Sequence, residues 1–123
     1  MKKILYLFIM MIASIASAND YILSSIDETL KLSQNSGKPA LVVFGSEDCK
    51  FCDILKNEIL DKNYIDNYIV CYIDISNEKN KSLKDTYKIH MIPDSRIFIN
   101  KTETSRLKGF EKNKYIDWLK KHD

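Results

Sequence analysis

Arginine is nearly absent from this chain: Arg96 and Arg106 are the only two among 19 basic side chains. Guanidinium groups are the usual forks for phosphate, so their scarcity argues against phosphate clamps. An excess of one charge sign is lacking as well. The formal net charge of +2 is matched by Lys2 and Lys3, which lie in a segment expected to be removed, and 17 basic side chains then face 17 acidic ones. No electrostatic drive toward nucleic acid remains. Glycine and proline are scarce, at 3 and 2 residues, which excludes collagen and low-complexity disorder. With 45% hydrophobic and 29% charged residues the composition is that of one compact domain, and no repeat or linker divides it.

A membrane-spanning run is also missing. The apolar stretch from Ile4 to Ile15 is too short for the roughly 20 residues that cross a bilayer. Preceded by Met1-Lys2-Lys3 and followed by Ala16-Ser17-Ala18, it reads as a secretory signal over residues 1–18. Cleavage after Ala18 leaves a domain of residues 19–123 in the periplasm or outside the cell, with no stable membrane anchor. Cysteine is too sparse and too odd in number for a disulfide framework, since only Cys49, Cys52 and Cys71 are present. Two of these lie three apart, and an exported compartment lets such a pair oxidise and exchange.

The pattern of apolar residues predicts an α/β domain. Tyr21 to Leu23 reads as a short extended piece. Ser25 and Glu28 have capping-box spacing before a helix from Ile26 to Asn35, with Gly37 as its stop. Ala40 to Phe44 is a continuous apolar run between Pro39 and Gly45, which predicts a central strand buried on both faces. A second helix begins at the cysteines, because Cys49, Cys52, Leu55 and Ile59 recur at helical spacing. Ile69 to Ile75 predicts a strand, Ser76 or Asn77 caps a helix to Tyr87, and this alternation implies parallel pairing. Arg96 to Asn100 and Thr104 to Lys108 predict a hairpin around Lys101-Thr102-Glu103, before a final helix from Glu111 to Lys120 with Tyr115, Ile116 and Leu119 inward.

The chemistry sits in Cys49-Lys50-Phe51-Cys52, where a buried strand hands over to a helix. Positions three apart on a helix are near enough for a disulfide to open and close locally. Free backbone N–H groups and the helix dipole favour a thiolate on Cys49, the expected attacking sulfur, while Cys52, one turn in, is the expected buried resolving thiol. Covalent haem attachment is excluded because Asp53, not histidine, follows Cys52. A structural zinc site would need ligands from Cys71, His90 and His122, which offer no second close-spaced pair. A static disulfide is the other competing reading, although so short a loop adds little stability. Cys71, inside a strand, is expected to pack as a small hydrophobe, and His90 matters only if it comes near the pair.

The order of these elements, with Cys49-Lys50-Phe51-Cys52 opening a helix and Met91-Ile92-Pro93 leading into the hairpin, resembles the thioredoxin-fold family. Within it the chain is most similar to exported bacterial members and to the C-terminal periplasmic domain of the transmembrane disulfide reductase. The resemblance spans Gly37 to Lys120 and takes in Leu107-Lys108-Gly109-Phe110, which is similar to the family's glycine-containing turn before its last helix. It implies one domain with a central mixed sheet flanked by helices. It also implies a cis Ile92-Pro93 peptide packed near the cysteines, with Ile92 and Pro93 binding an extended substrate segment.

The expected activity is thiol-disulfide exchange with protein thiols or disulfides and an unidentified redox partner, requiring no metal or organic cofactor. A peptide-binding or chaperone-like module with an idle cysteine pair is the alternative. Asp48 stands where the family usually has tryptophan. Val43 stands where it has a buried carboxylate thought to take a proton, a role that leaves Glu47 or a water as the substitute. Glu47 and Asp48 outweigh Lys50 around the pair and oppose a thiolate on Cys49. That predicts a reductase, with a potential nearer about −270 mV than the oxidase value of about −120 mV.

Overall fold

The structure, a computed structural model, describes residues 22–123. The signal expected over residues 1–18 lies outside the described residues. The described elements run α1 (Ile26–Ser36), β1 (Ala40–Gly45), α2 (Lys50–Leu55, continued by a π-wound turn over Lys56–Leu60), β2 (Ile69–Asp74), α3 (Lys81–Thr86), β3 (Asp94–Ile99), β4 (Thr102–Lys108) and α4 (Lys112–His122). The strands form one sheet in the order β2-β1-β3-β4. β1 pairs parallel with β2 and antiparallel with β3, and β3 pairs antiparallel with β4.

β1 is central and wholly buried, as its unbroken apolar run predicts. Alternating side chains serve two cores. Ala40, Val42 and Phe44 pack with Ile26, Cys71, Ile73, Ile89 and Phe98. Leu41 and Val43 pack with Leu55, Ile59, Leu60, Tyr115 and Leu119 from α2 and α4. The result is a sheet flanked by helices, the expected mixed α/β architecture. Leu23 adds a single parallel bridge to Cys71, donating to Val70 O and accepting from Tyr72 N–H, both at 2.9 Å. That residue is the described end of the extended piece expected over Tyr21 to Leu23, and it covers the outer edge of β2.

Local chemistry sets most boundaries. Ser25 caps α1 by accepting from Glu28 N–H at 3.3 Å, and Gly37 ends it at φ +79°, a conformation that favours glycine. Glu111 caps α4, accepting from the Asn113 and Lys114 N–H groups. α2 is longer than regular α-winding predicts: Asp61 N–H donates to Lys56 O, five residues back, and the wider turn brings Ile59 and Leu60 into the core together.

Three expectations shift. The helix expected from Ser76 or Asn77 to Tyr87 splits into a 3₁₀ turn over Glu78–Asn80 and the six-residue α3. No α3 residue is fully buried, so little apolar surface supports a longer helix. The hairpin turns at Asn100-Lys101, earlier than the expected Lys101-Thr102-Glu103. Ile99 pairs with Thr102, and the two linking residues have φ of 51° and 67°, as a two-residue primed turn requires. β3 begins at Asp94, two residues before the expected Arg96, because Asp94 and Arg96 enter the sheet as a buried ion pair.

Candidate functional site

Parallel β1 and β2 end at Gly45 and Asp74, and antiparallel β3 starts opposite them, with Asp94 paired to Phe44. One end of the sheet therefore carries both the turn into α2 and the Ile92-Pro93 segment. Gly109 N–H donates to Pro93 O at 2.7 Å, tying the turn after β4 to that segment. The Ile92-Pro93 peptide is cis, Pro93 is buried and Ile92 is partly buried.

Cys49 and Cys52 are joined as a disulfide with Cα atoms 5.1 Å apart. Helix geometry explains the fit, since these residues occupy the N-cap and third positions of α2. Cys49 is partly exposed, Cys52 is completely buried, and Cys52 N–H donates to Cys49 Sγ at 3.1 Å. The partly exposed sulfur thus receives a backbone donor at a helix start, an arrangement that stabilises its thiolate. Phe51 and Met91, 56% and 52% exposed, are large apolar side chains on the cysteine turn and beside Ile92.

Other singled-out residues fall as follows. Glu47 and Asp48 are exposed, and Val43 is buried among apolar side chains. Cys71 is a buried free thiol packed with Val42 and Phe44; burial pushes its pKa up to about 11. His90 is exposed, and His122 lies edge-on to Trp118 at 6.1 Å between ring centroids. Among the described residues, no three His, Cys, Asp or Glu side chains converge on a common point that would hold a metal ion.

Two features escape the sequence reading. The first is Asp94, fully buried directly after Pro93. It accepts from Arg96 Nε at 3.3 Å and from Arg106 Nη2 at 2.5 Å. Arg96 also donates to Glu103 at 3.1 Å and to the Tyr87 carbonyl, with its guanidinium 5.3 Å from the Phe44 ring centre. The two arginines of the chain are thus spent on one carboxylate that anchors the start of β3. The second feature is Tyr72, paired across the sheet with Val43, whose hydroxyl is buried without a partner near Cys52. Strand alternation would have placed Tyr72 on the cysteine side had the β1–β2 register been known.

An α/β sheet with an oxidised C-x-x-C pair at the start of a helix and a cis proline at the same end defines the thioredoxin-like class of proteins. The profile of the thioredoxin-like domain family matches residues 26–122, and the chain belongs to that family. Its fold is similar to that of thioredoxin from Fasciola hepatica, at TM-score 0.69 and 18% identity over 83% of this chain and 98% of that one. It is also similar to a thioredoxin from Thermus thermophilus, at 0.68 and 20% over 81% and 85%. Oxidised thioredoxin O2 from Arabidopsis thaliana gives 0.68 and 13% over 84% and 96%. No curated protein matches the chain in sequence.

Proposed function

We propose that this protein is an exported thiol-disulfide oxidoreductase that reduces protein disulfides. The observation that carries the reading is the asymmetric cysteine pair. Cys49 is partly exposed and receives a backbone N–H, whereas Cys52 is buried one helical turn behind it. Cys49 thiolate attacks a substrate disulfide, forming a mixed disulfide and expelling one substrate thiolate. Cys52 thiolate then attacks Cys49 Sγ and releases the second, leaving the pair oxidised and the substrate reduced by two electrons. The Ile92-Pro93 segment, with exposed Met91 preceding it and exposed Phe51 on the cysteine turn, offers the surface for an extended substrate segment. A separate redox partner returns the electrons.

The test is insulin reduction driven by dithiothreitol. The mature protein is expected to accelerate it and Cys49→Ser to abolish the acceleration; full activity in Cys49→Ser refutes the mechanism. The peptide-binding alternative, with an idle pair, predicts no acceleration at all. The reducing direction rests on Glu47 and Asp48, and their exposure weakens the effect through screening. Equilibration with glutathione decides it, because a pair that stays reduced in mostly oxidised glutathione marks an oxidant instead. Export rests on the Lys2-Lys3, apolar and Ala16-Ser17-Ala18 pattern, and predicts Asn19 as the N-terminus of protein recovered from cells.

A further inference from the structure

Tyr72 Oη is, among the described residues, the one buried side-chain oxygen or nitrogen without a hydrogen-bond partner. Such a group costs free energy, so its retention calls for a state in which it is satisfied. Its surroundings identify that state. A Cβ built on Gly45 would lie 2.7 Å from Tyr72 Cζ and 3.1 Å from Cys52 Sγ, with the hydroxyl nearer still. The phenol therefore occupies the place that a side chain on residue 45 would take, with the buried sulfur against the same spot, an approach left open because residue 45 is glycine. Here glycine serves by lacking a side chain, since Gly45 is not among the glycines with positive φ.

We propose that the Tyr72 hydroxyl donates a hydrogen bond to the Cys52 thiolate whenever the Cys49–Cys52 disulfide is opened. In the disulfide Cys52 Sγ is neutral and the hydroxyl is left over. When a partner thiolate attacks Cys49 Sγ, a new S–S bond forms, the Cys49–Cys52 bond breaks, and its electron pair leaves on Cys52 Sγ. That sulfur becomes a buried anion, which needs a donor. A second partner thiol, its proton lost to solvent, then displaces Cys49 as a thiolate, and the partner departs as a disulfide. Tyr72 keeps its proton throughout.

The rest of the environment suits a donor. Burial, with the negative charges of Asp74 and Asp53, raises the phenol pKa to about 12, so it is protonated at neutral pH. Lys56, one turn beyond Cys52 on α2, sets its ammonium 4.1 Å from the Tyr72 ring centre. The groups facing the phenol are thus Cys52, Asp53 and Lys56 from α2 and Asp74 from β2. A hydrogen bond to a charged acceptor is worth more than one between neutral groups, so its loss is readable in the thiolate.

The inference rests on the proposed exchange chemistry, and its test separates the two. Tyr72→Phe keeps the ring and the Lys56 contact while deleting only the hydroxyl. In a Cys49→Ser, Cys71→Ala background, Cys52 is the one thiol left to report by thiolate absorbance, and Tyr72→Phe is expected to raise its midpoint by about one pH unit. In the full chain, dithiothreitol is expected to reduce the oxidised Tyr72→Phe protein roughly threefold to tenfold more slowly, while its melting temperature stays level or rises. Gly45→Ala, whose methyl would displace the phenol from the sulfur, is expected to act in the same direction. A folded Tyr72→Phe protein with an unchanged Cys52 midpoint and reduction rate overturns the inference. If wild-type protein fails to reduce insulin, the exchange function fails, but the Cys52 titration still decides the hydrogen bond.

Discussion

Replacing Asp94 by alanine is the sharpest test of what holds the start of β3 in place. The carboxylate is fully buried and is shared by both arginines, with contacts of 3.3 Å to Arg96 Nε and 3.1 and 2.5 Å to Arg106 Nε and Nη2. Its removal leaves two guanidinium groups with different recourse. Arg106 is 27% exposed at its side chain and can turn into water, whereas Arg96 is 5% exposed and trapped against Phe44 and Tyr87. Breaking one side of a buried pair costs about 3–5 kcal/mol because the surviving charge is stranded, and the escape route for Arg106 puts this case near 3. At about 4–8 °C per kcal/mol for a domain of this size, the melting temperature should fall by roughly 12–24 °C.

The contrast with Glu103 sharpens the reasoning. That carboxylate meets the same Arg96 at 3.1 Å but is 37% exposed, so Glu103→Ala should cost under about 1 kcal/mol. Urea denaturation of the two variants measures both values. An Asp94→Ala protein within about 1 kcal/mol of wild type, or equal losses for the two carboxylates, would refute the view that burial decides what these ion pairs contribute.

Two more outcomes follow from the cores. Tyr115 Oη and Ser95 Oγ lie 2.7 Å apart, fully buried, joining α4 to β3; Tyr115→Phe strands the serine hydroxyl and should cost about 1–3 kcal/mol by urea denaturation, with a loss below 0.5 kcal/mol counting against the bond. Cys71 titrates at about 11 when folded against an ordinary value of 9.0, so the unfolded chain gives up its proton first as pH rises. Its contribution is fully present below pH 9 and is lost through pH 11, amounting to about 2–3 kcal/mol. Cys71→Ala should therefore be modestly less stable at pH 7, lose less between pH 9 and 11, and keep its exchange activity; an inactive but folded variant would contradict a packing role.

How much of the fold could be read from the residues depended on whether local chemistry or tertiary contact set each element. β1 was legible because an unbroken run from Ala40 to Phe44 between Pro39 and Gly45 has no stable place except inside a sheet. α1 was legible to within a residue through Ser25 and Gly37, whose capping roles are local. The beginning of β3 was not, because Asp94-Ser95, ahead of the strand expected from Arg96, is polar until Arg96 and Arg106, the latter twelve residues away, neutralise the aspartate. The split before α3 was hidden for the opposite reason. Its sequence is helix-compatible throughout, and only the lack of core contact shortens it.

The same division runs through the site. The cysteine pair is a local motif, and its N-cap placement follows from the strand-to-helix order alone. Tyr72 is a different case, since nothing within β2 distinguishes it from an ordinary strand tyrosine. Its meaning depends on Gly45, which lies 27 positions earlier and makes the room its ring occupies, and on the β1–β2 register that sets Tyr72 beside Val43. A single sequence carries no sign of that register, because two continuous apolar strands can slide by two residues without exposing a polar side chain. The isolated glycine after an apolar strand was the one available signal, since a missing side chain there permits the close approach of another group. It reads as a turn residue until the sheet shows which side chain fills the space.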